Sequence, residues 1–155
     1  MGRGKSARAR IEAVARTLES YARRGVFRGF SQEPVRGGKA AFRMTWHRDR
    51  AFEFLFDVPR NTMRFPLVLP NVTDPKMDRD LREFVRSRHS AALAEHRRID
   101  RRKAQVRCYN RGGDVSLTLR IANGNDEYGA RKLVHLVHEI YMSFLIDGGD
   151  RKSVV

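Results

Sequence analysis

Residues 40–69 read AAFRMTWHRDRAFEFLFDVPRNTMRFPLVL, and this stretch decides the fold of the chain. Large apolar residues occupy every second position, which is the spacing of a β-strand that buries one of its faces. The alternation stops at residues 48–50 and again at residues 58–61, where charged residues and a proline favour turns. The stretch therefore predicts three antiparallel strands with their aromatic side chains on one face.

The need to keep the apolar residues together also predicts the strand register. A three-residue loop over residues 48–50 gives the cross-strand pairs Trp46 with Phe52, Met44 with Phe54, and Phe42 with Phe56. A two-residue loop would set Met44 opposite Glu53 and divide the apolar residues between the two faces. The four-residue loop at residues 58–61 then pairs Phe56 with Met63, and the apolar face continues through Phe65, Leu67 and Leu69.

Amphipathic helices are predicted on both sides of these strands. The first has an apolar face over residues 11–22 and ends before Gly25. The last follows the turn at residues 123–126 and ends at Gly148 and Gly149. Its apolar stripe consists of Leu133, Leu136, Val137, Ile140, Tyr141, Phe144 and Leu145. Stripes of this kind predict helices that cover the apolar face of the sheet.

A middle helix is predicted from its start signals. Asp74 is a good N-cap, Pro75 suits the first helical position, and the apolar stripe extends as far as Ala92. The remaining surface of this helix is crowded with arginine and runs directly into Arg101, Arg102 and Lys103. The pattern therefore predicts a continuous basic surface along the helix and beyond it.

Two further stretches have strand character. Residues 26–31 favour a short first strand, and residues 104–122 favour a hairpin with its loop centred on Arg111 and Gly112. In that hairpin Cys108 is expected opposite Val115 on the apolar face, while Tyr109 belongs to the polar face. A polar outer face is typical of an antiparallel sheet with one side in water.

These elements predict an α+β fold of two layers. An antiparallel sheet of five to six strands carries three helices mainly on one face, in the order α-β(3-4)-α-β-β-α. Residues 9–149 are expected to form a single domain, preceded by a flexible basic arm over residues 1–8 and followed by a frayed tail over residues 150–155.

This order of elements resembles that of the type III secretion chaperone-like domains over roughly residues 9–147. The resemblance is one of topology and includes no diagnostic motif, so it assigns no functional residue. It implies a small α+β protomer that pairs into a dimer and binds extended segments of client proteins. Those chaperones tend to be acidic, whereas this chain has a formal net charge of +14.

The positive charge is concentrated in two segments. Residues 1–30 contain eight basic residues and two acids, and residues 97–111 contain seven and one, so the two segments supply +12 of the +14. Such concentration favours polyanions, with nucleic acid first and an anionic membrane surface or an acidic protein second. Only six of the 32 basic residues are lysine, and this arginine excess is also what a genome of biased base composition would produce.

The candidate polyanion-binding residues come from the arm, from the middle helix with its continuation, and from the strand that follows. They are Arg3, Lys5, Arg8, Arg10, Arg86, Arg97, Arg98, Arg101, Arg102, Lys103, Arg107, Tyr109 and Arg111. Tyr109 stands between two arginines on a polar strand face, so its ring can stack on a base while the guanidinium groups bind phosphate.

No catalytic residue, metal ligand, cofactor or small-molecule substrate is predicted. His135, His138 and Glu139 have a different spacing from the zinc-protease motifs and are expected on a solvated helix face. Cys108 is expected to be a buried apolar residue rather than a nucleophile. His47 and Asp49 stand together at a hairpin tip without a serine or reactive cysteine to complete a triad.

A single cysteine favours a reducing compartment, and no apolar run reaches the roughly 18 residues that a membrane span needs. The sequence thus predicts a cytoplasmic, non-enzymatic binding module that engages nucleic acid or another polyanion through the arm and the basic middle segment. The alternative is a chaperone-like adaptor that binds a protein client or itself, using outer-face residues such as Leu55, Val68 and Tyr109.

Overall fold

The computed structural model describes residues 6–149. The helices are α1 (Ala7–Arg23), α2 (Pro75–Ser87) and α3 (Asp126–Glu139), and α3 continues as a π-helix over Ile140–Gly149. The strands are β1 (Arg28–Gln32), β2 (Lys39–Thr45), β3 (Ala51–Asp57), β4 (Thr62–Leu69), β5 (Ala104–Arg111) and β6 (Asp114–Ile121). Residues 1–5 of the predicted arm and the predicted tail lie outside the described part of the chain.

The six strands form one antiparallel sheet in the order β1-β2-β3-β4-β6-β5. The inward strand residues and the apolar faces of the helices make a single core, in which four phenylalanines are almost completely buried: Phe42, Phe54, Phe56 and Phe65. The structure confirms the predicted α+β fold and its element order, with four strands before α2.

Helix α1 begins earlier than the sequence predicted. The Ser6 hydroxyl caps it by accepting from the Ala9 N–H at 3.1 Å, so Ala7 and Arg8 are helical rather than part of an arm. At the other end Gly25 adopts a φ of +79° and its N–H donates to the Ala22 carbonyl, as expected of a glycine that ends a helix.

The register of the first hairpin is shifted from the prediction: each β2 residue pairs with the residue two positions earlier in β3. Thr45 pairs with Ala51, Met44 with Phe52 and Phe42 with Phe54, which leaves a five-residue loop. The loop is longer because His47, which was expected in the strand, joins Arg48 and Asp49 in a 3₁₀ turn, in which the Asp49 N–H donates to the Trp46 carbonyl and the Arg50 N–H to the His47 carbonyl. Arg48 and Asp49 both adopt left-handed φ values near 60° in this turn. The shift is even-numbered, so the aromatic face is unchanged. The predicted pairing of Phe56 with Met63 is confirmed.

Strand β4 contains an irregularity that the alternation did not reveal. Phe65 pairs with Leu117 but Leu69 pairs with Val115, so β4 has two extra residues between these pairs. Pro66 lies there, and its missing N–H interrupts the ladder. As a result Leu67 is exposed and Val68 is buried, so both predictions, Leu67 in the core and Val68 on the outer face, are wrong.

The last hairpin turns one residue later than predicted. Cys108 pairs with Leu117 and Arg111 with Asp114, so the loop is Gly112-Gly113 rather than Arg111-Gly112. Both glycines have positive φ, 60° and 97°, which glycine adopts far more readily than other residues. The assignment of residues to the two faces is still correct, because each β5 residue pairs with a β6 residue two positions beyond the expected one, and residues two apart share a face.

Helix α2 ends at Ser87, and the prediction that it continues through Ala92 is wrong. The chain leaves the helix through turns closed by hydrogen bonds between residues three apart. It then folds back, so that the Ile99 N–H donates to the Arg88 carbonyl at 2.8 Å. His89 closes this segment against β5: one ring nitrogen contacts the Ile99 carbonyl and the other accepts from the Val106 N–H. Burial lowers the pKa of His89, consistent with a neutral ring between these partners. Tertiary contacts thus outweigh helix propensity here.

Candidate nucleic-acid interface

The sheet face opposite the helices, here called the open face, brings together residues from β3, β4, β6 and β5. Leu55 pairs with Arg64, Arg64 with Thr118, and Thr118 with Arg107, so these four side chains form one row across the sheet. The next row contains Arg120, which pairs with Thr62 on one side and with Gln105 on the other.

Three arginines are therefore close neighbours on the open face. Arg120 is diagonal to Arg64 on one side and to Arg107 on the other, and diagonal neighbours in a sheet lie about 7–8 Å apart. Arg64 and Arg107 are two strands apart, roughly 10 Å. All three side chains are exposed. We call Arg64, Arg107 and Arg120 the arginine triangle.

The arginine triangle has no acidic partner within 4.0 Å among residues 6–146, the residues whose side chains the structure describes. The ion pairs within 4.0 Å in this part of the chain involve other arginines, lysines and histidines. Nearby, Glu53 lies 3.9 Å from Arg43, and Asp57 accepts from the Arg60 N–H at 3.3 Å. Three exposed like charges without counter-ions produce a positive potential that attracts anions.

Two hollows adjoin the arginine triangle. The larger, of about 660 Å³, lies beneath the β1–β2 connection, and its apolar floor includes Ala41 and Leu55. The smaller, of about 220 Å³, is lined by Thr62, Gln105, Arg107, Tyr109, Thr118 and Arg120. The two share Thr62 and Thr118, so they are adjacent on the sheet.

Tyr109 is the aromatic residue of the smaller hollow. It pairs with Ser116 across the β5–β6 hairpin, and 48% of its surface is exposed. The structure thus places Arg107, Tyr109 and Arg111 on β5 as predicted, with Tyr109 beside the arginine triangle.

Arg10 is not available for a ligand, although the sequence made it a candidate. Its guanidinium donates to both carboxylate oxygens of Asp126 and to the Asn61 side chain, each at 2.8 Å, and only 16% of the side chain is exposed. The hydrogen bond that Arg10 donates to Asp126 raises the pKa of Arg10 above its ordinary value. Arg10 therefore ties α1 to the start of α3.

The predicted basic surface along the middle helix is largely used in intramolecular contacts. Glu139 accepts from Arg97 at 2.8 Å and from Arg88 at 3.2 Å, and the side chains of Arg88 and Glu139 are each only 8% exposed. The expectation that Glu139 lies on a solvated helix face is thus wrong, because this carboxylate is the counter-ion of a buried arginine.

Other candidates in that segment also have partners. Arg86 lies 3.3 Å from Glu83, and Arg102 lies 3.1 Å from Asp100, whose pKa it lowers to about 2. The Arg98 guanidinium reaches the Ala91 carbonyl, and the Lys103 ammonium lies 4.8 Å from the Tyr128 ring. Arg8 lies 3.7 Å from Glu12, Arg101 and Arg111 are exposed, and Arg3 and Lys5 lie outside the described residues.

The sequence did not single out Arg64 or Arg120. The period-two alternation already put both on the polar face of their strands. What it could not show is that β4 and β6 are neighbours, because α2 and β5 separate them along the chain.

A second cluster, at the β2–β3 loop, is built from aromatic rings with arginines beside them. The His47 ring stacks on Tyr141 at 4.4 Å between ring centroids, and His138 lies 5.4 Å away. Burial, together with the nearby His138, Arg48 and Arg50, lowers the pKa of His47 to about 4. The Tyr141 hydroxyl donates to the Val68 carbonyl, so the cluster fastens α3 to the sheet.

The cysteine and the potential metal ligands do not form a metal site in the described part of the chain. Cys108 lies on the core side of β5, and burial raises its thiol pKa to about 11, far from the range of a nucleophilic thiolate. Among residues 6–149 no group of three histidine, cysteine or acidic side chains is placed to hold a metal ion.

The chain matches no protein-family model, and its comparison with curated proteins and with solved structures gave no match. The similarity to type III secretion chaperone-like domains remains a prediction from topology. Each helix within residues 6–149 is too short or too polar to span a lipid bilayer.

Proposed function

We propose that the protein is a non-enzymatic binding module whose open face binds nucleic acid. The observation that supports this most is the arginine triangle, three exposed guanidinium groups on adjacent strands with no carboxylate of residues 6–146 within ion-pairing distance. A structural arginine normally has an acidic or carbonyl partner, as Arg10, Arg88 and Arg97 do here.

The chemistry of the open face suits a phosphate backbone. A guanidinium group donates two parallel hydrogen bonds to a phosphate, which makes arginine the preferred residue for such contacts. Each phosphate that is neutralised releases condensed counter-ions, so binding must weaken as salt increases. Tyr109 adds a stacking surface, and the exposed Arg111 extends the positive charge along β5.

The proposal is tested with fluorescence anisotropy on labelled 20-nucleotide DNA, both single-stranded and duplex, in low salt. Replacing Arg64, Arg107 and Arg120 with glutamine should weaken binding at least tenfold. The matched control replaces three exposed helical arginines, Arg16, Arg79 and Arg131, and changes the net charge equally. Equal losses in both variants would mean that total charge, and not the open face, governs binding. No binding by the unaltered protein of either DNA, or of the same sequence as single-stranded RNA, would refute the proposal.

A protein-binding adaptor, acting as a dimer, is the second candidate. It is favoured by β1, an edge strand of five mostly exposed residues with one sheet neighbour, because an extended peptide or a second copy can add to such an edge. Of the three outer-face residues expected to mediate pairing, Leu55 and Tyr109 remain on the open face and Val68 is buried. Light scattering that finds only monomer at high protein concentration would refute the homodimer.

A further inference from the structure

We infer that the open face takes single-stranded nucleic acid, with unpaired bases in its two hollows, rather than a duplex. This inference rests on the proposed function and concerns the same site. It follows from the chemistry around the arginine triangle, which has an apolar hollow on one side and an exposed tyrosine on the other.

The larger hollow differs from a simple phosphate site because it has an apolar floor and a rim of mixed charge. Its floor is made apolar by Ala41 and Leu55, and its wall contains the carboxylates of Glu33 and Asp57, of which Glu33 lies 2.9 Å from Arg43. The basic side chains of the wall are Arg36, Lys39, Arg60 and Arg64. Carboxylates repel a phosphate group, but they accept hydrogen bonds from the amino groups of bases. An apolar floor with acceptors at its rim fits a base, and a volume of about 660 Å³ is within the range of small-molecule sites.

The order of side chains across the sheet matches a single strand. Leu55 is on β3, Arg64 on β4, Arg120 on β6 and Tyr109 on β5, and these four strands are consecutive in the sheet. At about 4.8 Å between strands, β3 and β5 lie roughly 14 Å apart. Two bases can therefore occupy the two hollows while the phosphates between them contact the arginines.

A duplex cannot use these features. Its bases are stacked and paired inside the helix, and it presents mainly phosphates to a sheet surface. Only unpaired bases can stack on Tyr109 or enter the larger hollow, which is the mode in which open sheet faces bind single strands.

The test compares one 15-nucleotide mixed sequence as single-stranded DNA, as single-stranded RNA and as duplex DNA, by fluorescence anisotropy at a single salt concentration. Polyglutamate serves as an unlabelled competitor without bases. We expect either single strand to bind at least about tenfold more tightly than the duplex. Tyr109→Ala should weaken single-strand binding about fivefold or more and leave duplex binding unchanged, since one stacked base contributes on this scale. Tyr109→Phe keeps the ring and should bind within twofold of the unaltered protein.

The outcomes separate the two proposals. Duplex binding as tight as single-strand binding, or a Tyr109→Ala variant that binds single strands normally, would overturn this inference and leave the proposed function in place. Polyglutamate that competes as well as single-stranded DNA at equal charge would also overturn it, because bases would then contribute nothing. Absence of binding to all three nucleic acids would overturn the proposed function itself.

Discussion

Glu139→Gln is expected to destabilise the protein strongly, because it removes the only charge that compensates Arg88 within residues 6–149. The Arg88 side chain is 8% exposed, and its guanidinium lies 3.2 Å from the Glu139 carboxylate. Removing one partner of a buried ion pair costs about 3–5 kcal/mol. Glutamine keeps the shape of the glutamate side chain and one acceptor oxygen, so we expect a loss at the lower end of this range, about 3 kcal/mol. That loss is a large part of the roughly 5–15 kcal/mol that stabilises a typical domain.

Urea unfolding followed by circular dichroism measures this loss as a lower midpoint at constant slope. Arg97→Gln is the matched control: Arg97 contacts the same carboxylate, but its side chain is 40% exposed, so its loss should cost less than about 1 kcal/mol. The double variant Arg88→Met, Glu139→Leu should recover most of the stability, since neither buried charge remains. A Glu139→Gln variant within about 0.5 kcal/mol of the unaltered protein would refute this account of the middle segment.

Three further results are expected from buried groups. Gly129→Ala should destabilise the protein by about 1–2 kcal/mol in urea unfolding. The added Cβ would lie 2.5 Å from Ile121 Cγ2, and this overpacking outweighs the gain in helix propensity. Unchanged stability would contradict the close packing of α3 on β6. The unfolding free energy should fall between pH 7 and pH 5, because burial lowers the pKa of His47, His89 and His135 while the unfolded state binds protons near pH 6.5. His47, with a pKa of about 4, should account for about 1 kcal/mol of this fall once solvent screening of its half-buried ring is allowed for. His47→Phe should reduce the loss by that amount, and an identical pH profile would contradict it. The Cys108 thiol should react with a disulfide reagent at pH 8 at least about tenfold more slowly in the native protein than in urea, and equal rates would contradict its burial.

The alternating pattern was enough to predict the two layers and, except in the second half of β4, the faces of the strands. Face assignment depends only on whether a residue number is odd or even along a strand, so it survived register errors in both the β2–β3 and the β5–β6 hairpins. The exact pairs depended on backbone conformations, the left-handed φ at Arg48 and Asp49 and at Gly112 and Gly113, for which the sequence offers several positions. Pro66 did indicate an irregularity in β4, but it did not indicate which of the following residues would face the core.

The candidate site was harder to predict, because charge in a sequence does not reveal which charges are already paired. Arg88 and Arg97 belonged to the predicted basic surface of the middle helix and its continuation, yet both are bound to Glu139, 51 and 42 residues away in the chain. The arginine triangle, in contrast, comes from β4 and from the β5–β6 hairpin, which α2 separates along the chain and the sheet order joins. Its members become a site only when long-range strand pairing is known.

The most direct test of the account is a titration of the isotopically labelled protein with a single-stranded oligonucleotide, followed by amide chemical shifts in nuclear magnetic resonance. We expect the largest shifts at outward-facing residues of the open face, namely Thr62, Arg64, Arg107, Tyr109, Thr118 and Arg120. Residues 86–103 and the exposed side of α1 should change little. Shifts confined to residues 86–103 or to α1, with the open face unchanged, would contradict the central claim that this face of the sheet binds nucleic acid.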